Sequence, residues 1–346
     1  MNQESYIRLS NELHPEWQKP SRFYSEFNKP DAIDYQIIDE IIKVNKIIGA
    51  IDMGGAWKFY NENTRKNYVN ALRNHDRETL ANLLPSFFQN ECSSAIITPS
   101  INVAQDYNLA NQMMWDLDAF SEFSNNDYDS SILNTTKIGS PFGIELDGNM
   151  ILPDSARHLF FAEKLNSLSL GNNSNILEIG GGYGGLIYFL KKIGFNENYF
   201  NIDLPETLFV CYYYLRKNNI PCEFLIDEKP LKKGVVYLIP STVYKEVAKN
   251  IDFDIFFNSA SLSEMDKDVC FDYIDMVNEK SPDYILHCNS NFLAFPDSKI
   301  HLEVLARDFP IDSKIYNLKY KHISPFQGAS GRYRIFFYKK NDYRKK

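Results

Sequence analysis

Two acids bracket a glycine-rich turn in this chain. The stretch Asn175-Ile-Leu-Glu-Ile-Gly-Gly-Gly-Tyr-Gly-Gly-Leu186 places five glycines in six positions, directly after a short apolar run. Gly180, Gly182 and Gly185 satisfy the spacing G-x-G-x-x-G, while Glu178, Gly180, Gly182 and Gly184 satisfy E-x-G-x-G-x-G. A tight strand-to-helix turn needs glycine for positive φ and for close approach of the backbone to a ligand. The helix that opens at Gly184 or Gly185 then points free N–H groups at that ligand. Glu178 stands where it can receive a ligand ammonium group. Asp203, followed by Leu204, ends the next apolar run, where its carboxylate can accept hydrogen bonds from both hydroxyls of a ribose. Asp203 can also serve as the N-cap of a helix starting at Leu204-Pro205.

The two spacings name different cofactors. A pyrophosphate uses the positive end of the helix, and dinucleotide folds place an aliphatic residue where this chain has Glu178. S-adenosylmethionine (SAM) carries an ammonium and a carboxylate instead, so its loop benefits from an acid. A dinucleotide fold also needs a second mononucleotide half, which the downstream sequence does not supply. These points favour SAM, with Glu178, Gly180, Gly181, Gly182, Gly184, Asp203, Leu204, Asn258 and Ser259 as cofactor-binding residues.

A sulfonium is already a good leaving group, so an enzyme using it must align an attacking hydroxyl and help remove its proton. In open α/β sheets such groups sit beyond the carboxyl ends of the strands. That rule selects Asn258 to Glu264 and Asn289 to Asn291. Glu264 is the first choice for a base or for gripping substrate hydroxyls, although it also fits the first turn of a helix. Asn258 and Asn289 can orient a ligand or satisfy backbone groups at a strand end. His301 titrates in a useful range and joins Glu264 and Asn289 as a catalytic candidate, with an exposed loop histidine as its plainer description. His158, beside Arg157, can reach the cofactor mouth or form a surface pair, and His287 reads as a satisfied core or near-core histidine. Glu264, Asp266 and Asp268 lack the spacing of a metal site, and the reading is metal-independent.

The elements that must position these residues change character along the chain. Apolar residues at near-helical spacing predict helices over 31–48, 64–73, 76–88 and 104–123. The Asn-, Asp- and Ser-rich stretch 124–136 reads as a linker, followed by turn-rich sequence and a helix from about Pro153. From Asn175 short apolar runs at 176–179, 199–202, 235–239, 253–257 and 284–288 alternate with helical segments. Buried strands with helices between them imply a parallel sheet covered on both faces. Two strand-like segments without an intervening helix, "SKIYNLKYKHI" and "RYRIFFYKK", predict an antiparallel closure of one edge. Residues 221–226 read as an extra strand of unassigned place. The division is a helical domain over 1–135 for substrate recognition and a SAM-binding domain over 136–346.

Over about residues 150–340 the pattern, with "LEIGGGYG" and "DLPE", resembles the class I SAM-dependent methyltransferases. The resemblance implies an α/β, Rossmann-like sheet that is mostly parallel with one reversed strand near its C-terminal end. "DIFFNSASLSEM" (254–265), Gly139-Ser140-Pro141, Arg157-His158, Leu238-Ile239-Pro240 and Asn289 occur in the order that resembles a family of bacterial sugar O-methyltransferases. That likeness implies methyl transfer from SAM to a hydroxyl of a sugar or sugar nucleotide, for a surface polysaccharide.

Bulk properties narrow the partners. With 346 residues, 44% hydrophobic and a net charge of −8, the chain has material for a real core and no basic balance that advertises nucleic acid. Its five cysteines include no C-x-x-C pair, which suits a reducing cytoplasm. No apolar run approaches the ~18–20 residues that cross a bilayer. The expected partner is a small-molecule carbohydrate acceptor, without nucleic acid or membrane insertion, and a homo-oligomer stays open.

Overall fold

A computed structural model describes residues 21–49, 55–97, 109–124, 130–170, 174–292, 304–326 and 331–341. Its centre is an eight-stranded sheet of β4 (Ile176–Ile179), β5 (Tyr199–Asp203), β6 (Cys222–Phe224), β7 (Val236–Pro240), β8 (Ile255–Ser259), β9 (Tyr284–Ser290), β10 (Tyr316–Ile323) and β11 (Tyr333–Lys340). The order across the sheet is β10-β11-β9-β8-β4-β5-β7-β6. Every pair from β9 to β6 is parallel, and β11 is antiparallel to both β9 and β10. β10 therefore runs with the rest, and β11 is the one reversed strand that the resemblance implies. The segment at 221–226 takes its place as β6, the outermost strand, beside β7.

Successive residues of the strands feed opposite cores. Ile176, Tyr199, Leu238, Phe257 and Leu286 face one apolar cluster, while Leu177, Phe200, Tyr237, Phe256 and Ile285 face the other. Both faces are buried, so these strands read as continuous apolar runs rather than as alternation.

Helices pack on the two faces. Four come from the first third of the chain: α1 (Ala32–Ile48), α2 (Gly55–Asn63), α3 (Lys66–Arg73) and α4 (Arg77–Leu83). α1 begins in a capping box, with Asp31 accepting from the Asp34 N–H and Asp34 accepting from the Asp31 N–H, and ends at Gly49 with φ 73°. The helix expected over 76–88 stops being α-helical after Leu83. Pro85 lacks an N–H to continue it, and 84–89 tightens into a 3-10 turn. Next come α5 (Leu109–Phe123), α6 (Ser130–Leu133), α7 (Ser155–Ser169), α8 (Gly185–Lys192), α9 (Pro205–Lys217), α10 (Tyr244–Val247) and α11 (Lys267–Lys280).

α1 docks on α9. Lys217 Nζ pairs with Asp34 Oδ1 at 2.6 Å, the Tyr213 hydroxyl donates to the same oxygen at 2.6 Å, and Arg216 pairs with Glu40. Phe87 and Phe88 from the 3-10 turn stack among Tyr183, Tyr213 and Tyr214 of the later sequence, so one apolar cluster spans both.

Two stretches differ from their composition. The turn-rich segment contains a hairpin of β2 (Phe142–Leu146) and β3 (Asn149–Ile151), and β1 (Ser21–Tyr24) adds to it antiparallel. Its two-residue turn is Asp147-Gly148, both with positive φ (50° and 77°), the geometry that Asp-Gly favours. The described half of the expected linker, 130–136, is packed. Leu133 is fully buried, and the Thr135 N–H donates to Met150 O at 2.8 Å.

Candidate active site

The carboxyl ends of β4, β5, β7 and β8 open onto one cavity of about 620 Å³, within the ~300–1,000 Å³ typical of small-molecule and cofactor sites. The glycine loop after β4 forms part of its wall. Gly180, Gly182 and Gly184 adopt φ of 77°, 58° and 89°, values that side chains resist. A methyl group on Gly180 would collide with Ser261, and one on Gly181 with Glu178 and Asn201. Four of the loop N–H groups are committed within the protein. Gly180 donates to Ile202 O at 2.8 Å, Gly181 to Asn201 Oδ1 at 3.2 Å, Gly182 to Asp203 Oδ2 at 3.0 Å and Gly184 to Gly181 O at 3.1 Å. A phosphate cradle needs such donors free.

Two carboxylates flank the loop. Glu178 is 3% exposed, and its Oε2 accepts from the Tyr199 hydroxyl at 2.7 Å. Burial nevertheless pushes its carboxyl up to about 8. Asp203 accepts from the Leu204 N–H at 2.7 Å as well as from Gly182. Burial lifts it to about 7 against those two bonds. Neither acid has an ion-pair partner among the described residues. Leu204, not Asp203, occupies the N-cap of α9, and no side chain caps that helix. Asp203 ties the glycine loop to the end of β5 instead.

A second group gathers where α7, β8 and the start of β11 meet. Arg157 pairs through Nη2 with Asp154 at 3.0 Å and donates through Nη1 to Ser259 Oγ at 3.2 Å, while its Nε is buried without an acceptor. His158 lies 3.4 Å from the Tyr183 hydroxyl, and burial drives it down to about 3, which leaves the imidazole neutral. Glu264 closes the 3-10 turn Leu262–Glu264 with its half-buried side chain on the cavity wall. Burial pushes it up to about 8, with Arg157 pulling the other way. Tyr333, the first residue of β11, lines the cavity within the field of both Glu264 and Arg157.

The sequence candidates separate into three positions. Glu178, Gly180, Gly181, Gly182, Asp203, Leu204, Ser259 and Glu264 line the cavity. Gly184, Asn258 and Asn289 do not. Gly184 packs against Cys211 as the helix turns away. Asn258 is wholly buried. It donates to Ile179 O at 2.7 Å and to Ser261 Oγ at 2.5 Å, and accepts from Asn289 Nδ2 at 2.6 Å. Asn289 Oδ1 accepts from the Ser263 N–H at 3.4 Å. These amides hold the turn that carries Glu264. His301 lies outside the described residues. His287 is a core histidine buried between Phe336 and Phe309, but not a satisfied one, since neither ring nitrogen has a hydrogen-bond partner among the described residues.

Sequence reasoning missed the walls that other layers supply. Trp57 of α2 and Ala95-Ile96 reach the cavity from the first third of the chain, and Thr207 comes from the first turn of α9. Arg332 and Tyr333 arrive because β11 is reversed, so its start lies at the end of the sheet where the parallel strands finish. That reversal was the only available signal. Among the described residues, no three His, Cys, Asp or Glu side chains gather as metal ligands, and no helix is long and apolar enough to cross a membrane.

The cavity suits SAM better than a dinucleotide. The buried Glu178 beside the loop would repel a pyrophosphate, and four of the loop donors are already used. Two carboxylates without ion-pair partners among the described residues, Glu178 buried and Asp203 half-buried, are complementary to an ammonium group and to ribose hydroxyls.

No protein-family model matches the chain, and no curated protein matches it in sequence. Solved structures resemble it at low similarity. A S-adenosylmethionine-dependent methyltransferase from Clostridium acetobutylicum ATCC 824 is 12% identical, with 51% of this chain and 89% of that one covered and a TM-score of 0.34. The small RNA methyltransferase HEN1 is 13% identical over 58% of this chain and 28% of its own, with a TM-score of 0.42. A Pyrococcus abyssi tRNA (uracil-54, C5)-methyltransferase in complex with S-adenosyl-L-homocysteine is 16% identical over 57% and 41%, with a TM-score of 0.33. With scores this low, the chemistry of the cavity rests on its own geometry.

Proposed function

We propose that the chain is a cytoplasmic SAM-dependent methyltransferase that methylates a hydroxyl. The observation that carries this reading is the pair Glu178, buried, and Asp203, half-buried, acids with no ion-pair partner among the described residues, beside a loop in which the N–H groups of Gly181 and Gly182 are already used. When bound, SAM supplies an electrophilic methyl group on a sulfonium leaving group. Glu178 receives the ammonium end and Asp203 the ribose hydroxyls. Gly180, Gly181 and Gly182 give the backbone its close approach, Gly184 turns the chain into α8, and Leu204 and Ser259 complete the wall. Glu264 accepts the proton of the attacking hydroxyl. The positive charge of the ligand favours its ionised form, offsetting the burial that raises its pKa. Asn258 and Asn289 act by holding the turn that presents Glu264.

The acceptor in this proposal is a sugar or sugar nucleotide of surface-polysaccharide synthesis. The order of the short motifs supports it, as does the half-buried indole of Trp57 on the wall, an apolar plate next to Tyr60, whose phenol feels the Glu264 charge. The helical region over 1–135 selects that acceptor.

Calorimetric titration with S-adenosylhomocysteine (SAH) and with NADH tests the cofactor. Binding of SAH without NADH is expected, and the reverse overturns the assignment. Incubation with methyl-labelled SAM and a panel of acceptors tests the rest. Label on sugar nucleotides is expected, and label confined to amines or RNA overturns the acceptor class.

A further inference from the structure

Among the described residues, one cation is buried without an anion. Arg65, at the N-cap of α3, is 0% exposed. Its Nη1 lies 3.4 Å from Thr207 Oγ1 and its Nη2 3.5 Å from Glu206 O, both at the long limit for hydrogen bonds, and its Nε has no acceptor. No carboxylate stands within ion-pair distance of it among the described residues. Its other contacts are aromatic faces, Trp57 at 5.8 Å and Tyr68 at 5.4 Å from the ring centres. A charge in this setting costs stability, and an apolar side chain of similar shape usually serves a core better.

The neighbours of the guanidinium say what the charge does. Trp57 and Thr207 both line the cavity, one from α2 and one from α9. The first turn of α9 is gripped at two further points, by Tyr68 Oη donating to Glu206 O at 2.7 Å and by Asn61 donating to the Glu206 carboxylate. Asp203 lies just before that turn, and Arg65 pulls its carboxyl down. The opposing groups around Asp203 are Glu178 of β4, Glu206 and Cys211 of α9 and Tyr273 of α11. None of those is a cation.

We propose that Arg65 is a positioning residue through which the helical layer sets the ribose end of the cavity, joining Trp57 to Thr207 and holding Asp203 as the carboxylate that accepts the ribose hydroxyls. The inference rests on the SAM reading for its ligand. It makes an otherwise unfavourable buried charge intelligible as the counterweight to the acids of the opposite layer.

Arg65→Met and Arg65→Lys separate this role from a structural one. The first readout needs no ligand: the titration of the Asp203 carboxyl carbon in ¹³C-aspartate-labelled free protein, assigned with Asp203→Asn. The second is SAH affinity by calorimetry between pH 6 and 8.5. Arg65→Met is expected to melt at or above the wild-type temperature, since it removes an under-bonded buried charge. Its Asp203 midpoint should rise, and its SAH affinity at pH 7 should fall with the lost ionised fraction. Arg65→Lys keeps the charge and should hold the midpoint near the wild-type value. An unchanged midpoint in Arg65→Met overturns the proposal, as does failure of that variant to fold or a melting point well below wild type. If the wild type binds no SAH, the SAM reading falls, while the ligand-free titration still decides the role of Arg65.

Discussion

β4 and β8 lie side by side in the sheet, with Ile179 opposite Asn258, yet they treat polar groups in opposite ways. At the end of β8 and β9 the amides of Asn258 and Asn289 are matched. Asn258, Asn289, Ser261 and Ser263 bond to one another and to the backbone, and none of the buried amide atoms of Asn258 or Asn289 is left over. At the end of β4 and β5 the acids Glu178, buried, and Asp203, half-buried, have no ion-pair partner among the described residues. A satisfied network fixes a shape. Two acids that have hydrogen bonds but no ion pair await a ligand whose charge completes them, and they lower the stability of the free protein in the meantime. The same sheet edge thus holds a rigid shelf and a binding wall.

The largest effect that tests this contrast concerns the acid carried on the shelf. Glu264→Gln should lower kcat by about 10²–10⁴, the range for loss of a general base, and leave SAH affinity near the wild-type value. Loss of affinity on the same scale as loss of rate would move Glu264 to the cofactor wall. Next, Glu178→Gln should weaken SAH roughly 10- to 150-fold, as removal of a charged hydrogen bond worth about 1.5–3 kcal/mol predicts. The same variant should melt higher than the wild type at pH 8, because an amide bears no ionisation cost when buried. Improved stability together with lost binding is the signature that separates the wall from the shelf.

Asn289→Ala should do the reverse. It orphans Asn258 Oδ1 and the Ser263 N–H, at a cost of about 1–3 kcal/mol for unmatched buried groups. Thermal melting should register that loss while SAH affinity changes less than in Glu178→Gln. A stable Asn289→Ala that no longer binds SAH would break the distinction.

The smallest effects are in pH. Glu178, Glu264 and Asp203 have folded-state values raised to about 8, 8 and 7 from 4.5, 4.5 and 3.8. The fold therefore holds protons that the unfolded chain has already released. Their contribution to stability is full below the unfolded values and is lost as pH rises through 7–8. Melting temperature of the free protein should fall between pH 6 and 8, less steeply in Glu178→Gln. Over the same range kcat/KM should rise as Glu264 ionises, half-maximal near pH 8, and Glu264→Gln should flatten that rise.

The strand-end half of the site was legible in the sequence for a physical reason. Residues that share one tight turn, such as Glu178 and Gly180 to Gly184, are brought together by local geometry, and Asp203 follows because parallel strands all finish at the same edge. The alternation of apolar runs and helices likewise announced the sheet. What stayed hidden depends on packing between layers. Nothing in the spacing of Trp57, Arg65 or Thr207 says that α2, α3 and α9 meet. Tyr333 could be placed only once β11 was known to be reversed. The hairpin at 142–151 was obscured by its turn residues, which composition alone reads as loop, although Asp147-Gly148 is the signal for it. Asn258 and Asn289 illustrate a different limit: their chemistry suits a ligand as well as a scaffold, and only the bond partners distinguish the two.

The place of β11 has a consequence for how the molecule comes together. It follows β10 in the chain but lies between β10 and β9 in the sheet. Until β11 inserts, β10 has no strand to pair with and the edge of β9 stands open. The cavity then lacks Arg332 and Tyr333. The late strand closes the sheet by contacts with β9 running from Tyr333 opposite Ser290 to Lys339 opposite Tyr284, the non-local kind of pairing that slows folding. The rest of the sheet can form while the catalytic end is still incomplete, so acquisition of activity should lag behind acquisition of secondary structure during refolding.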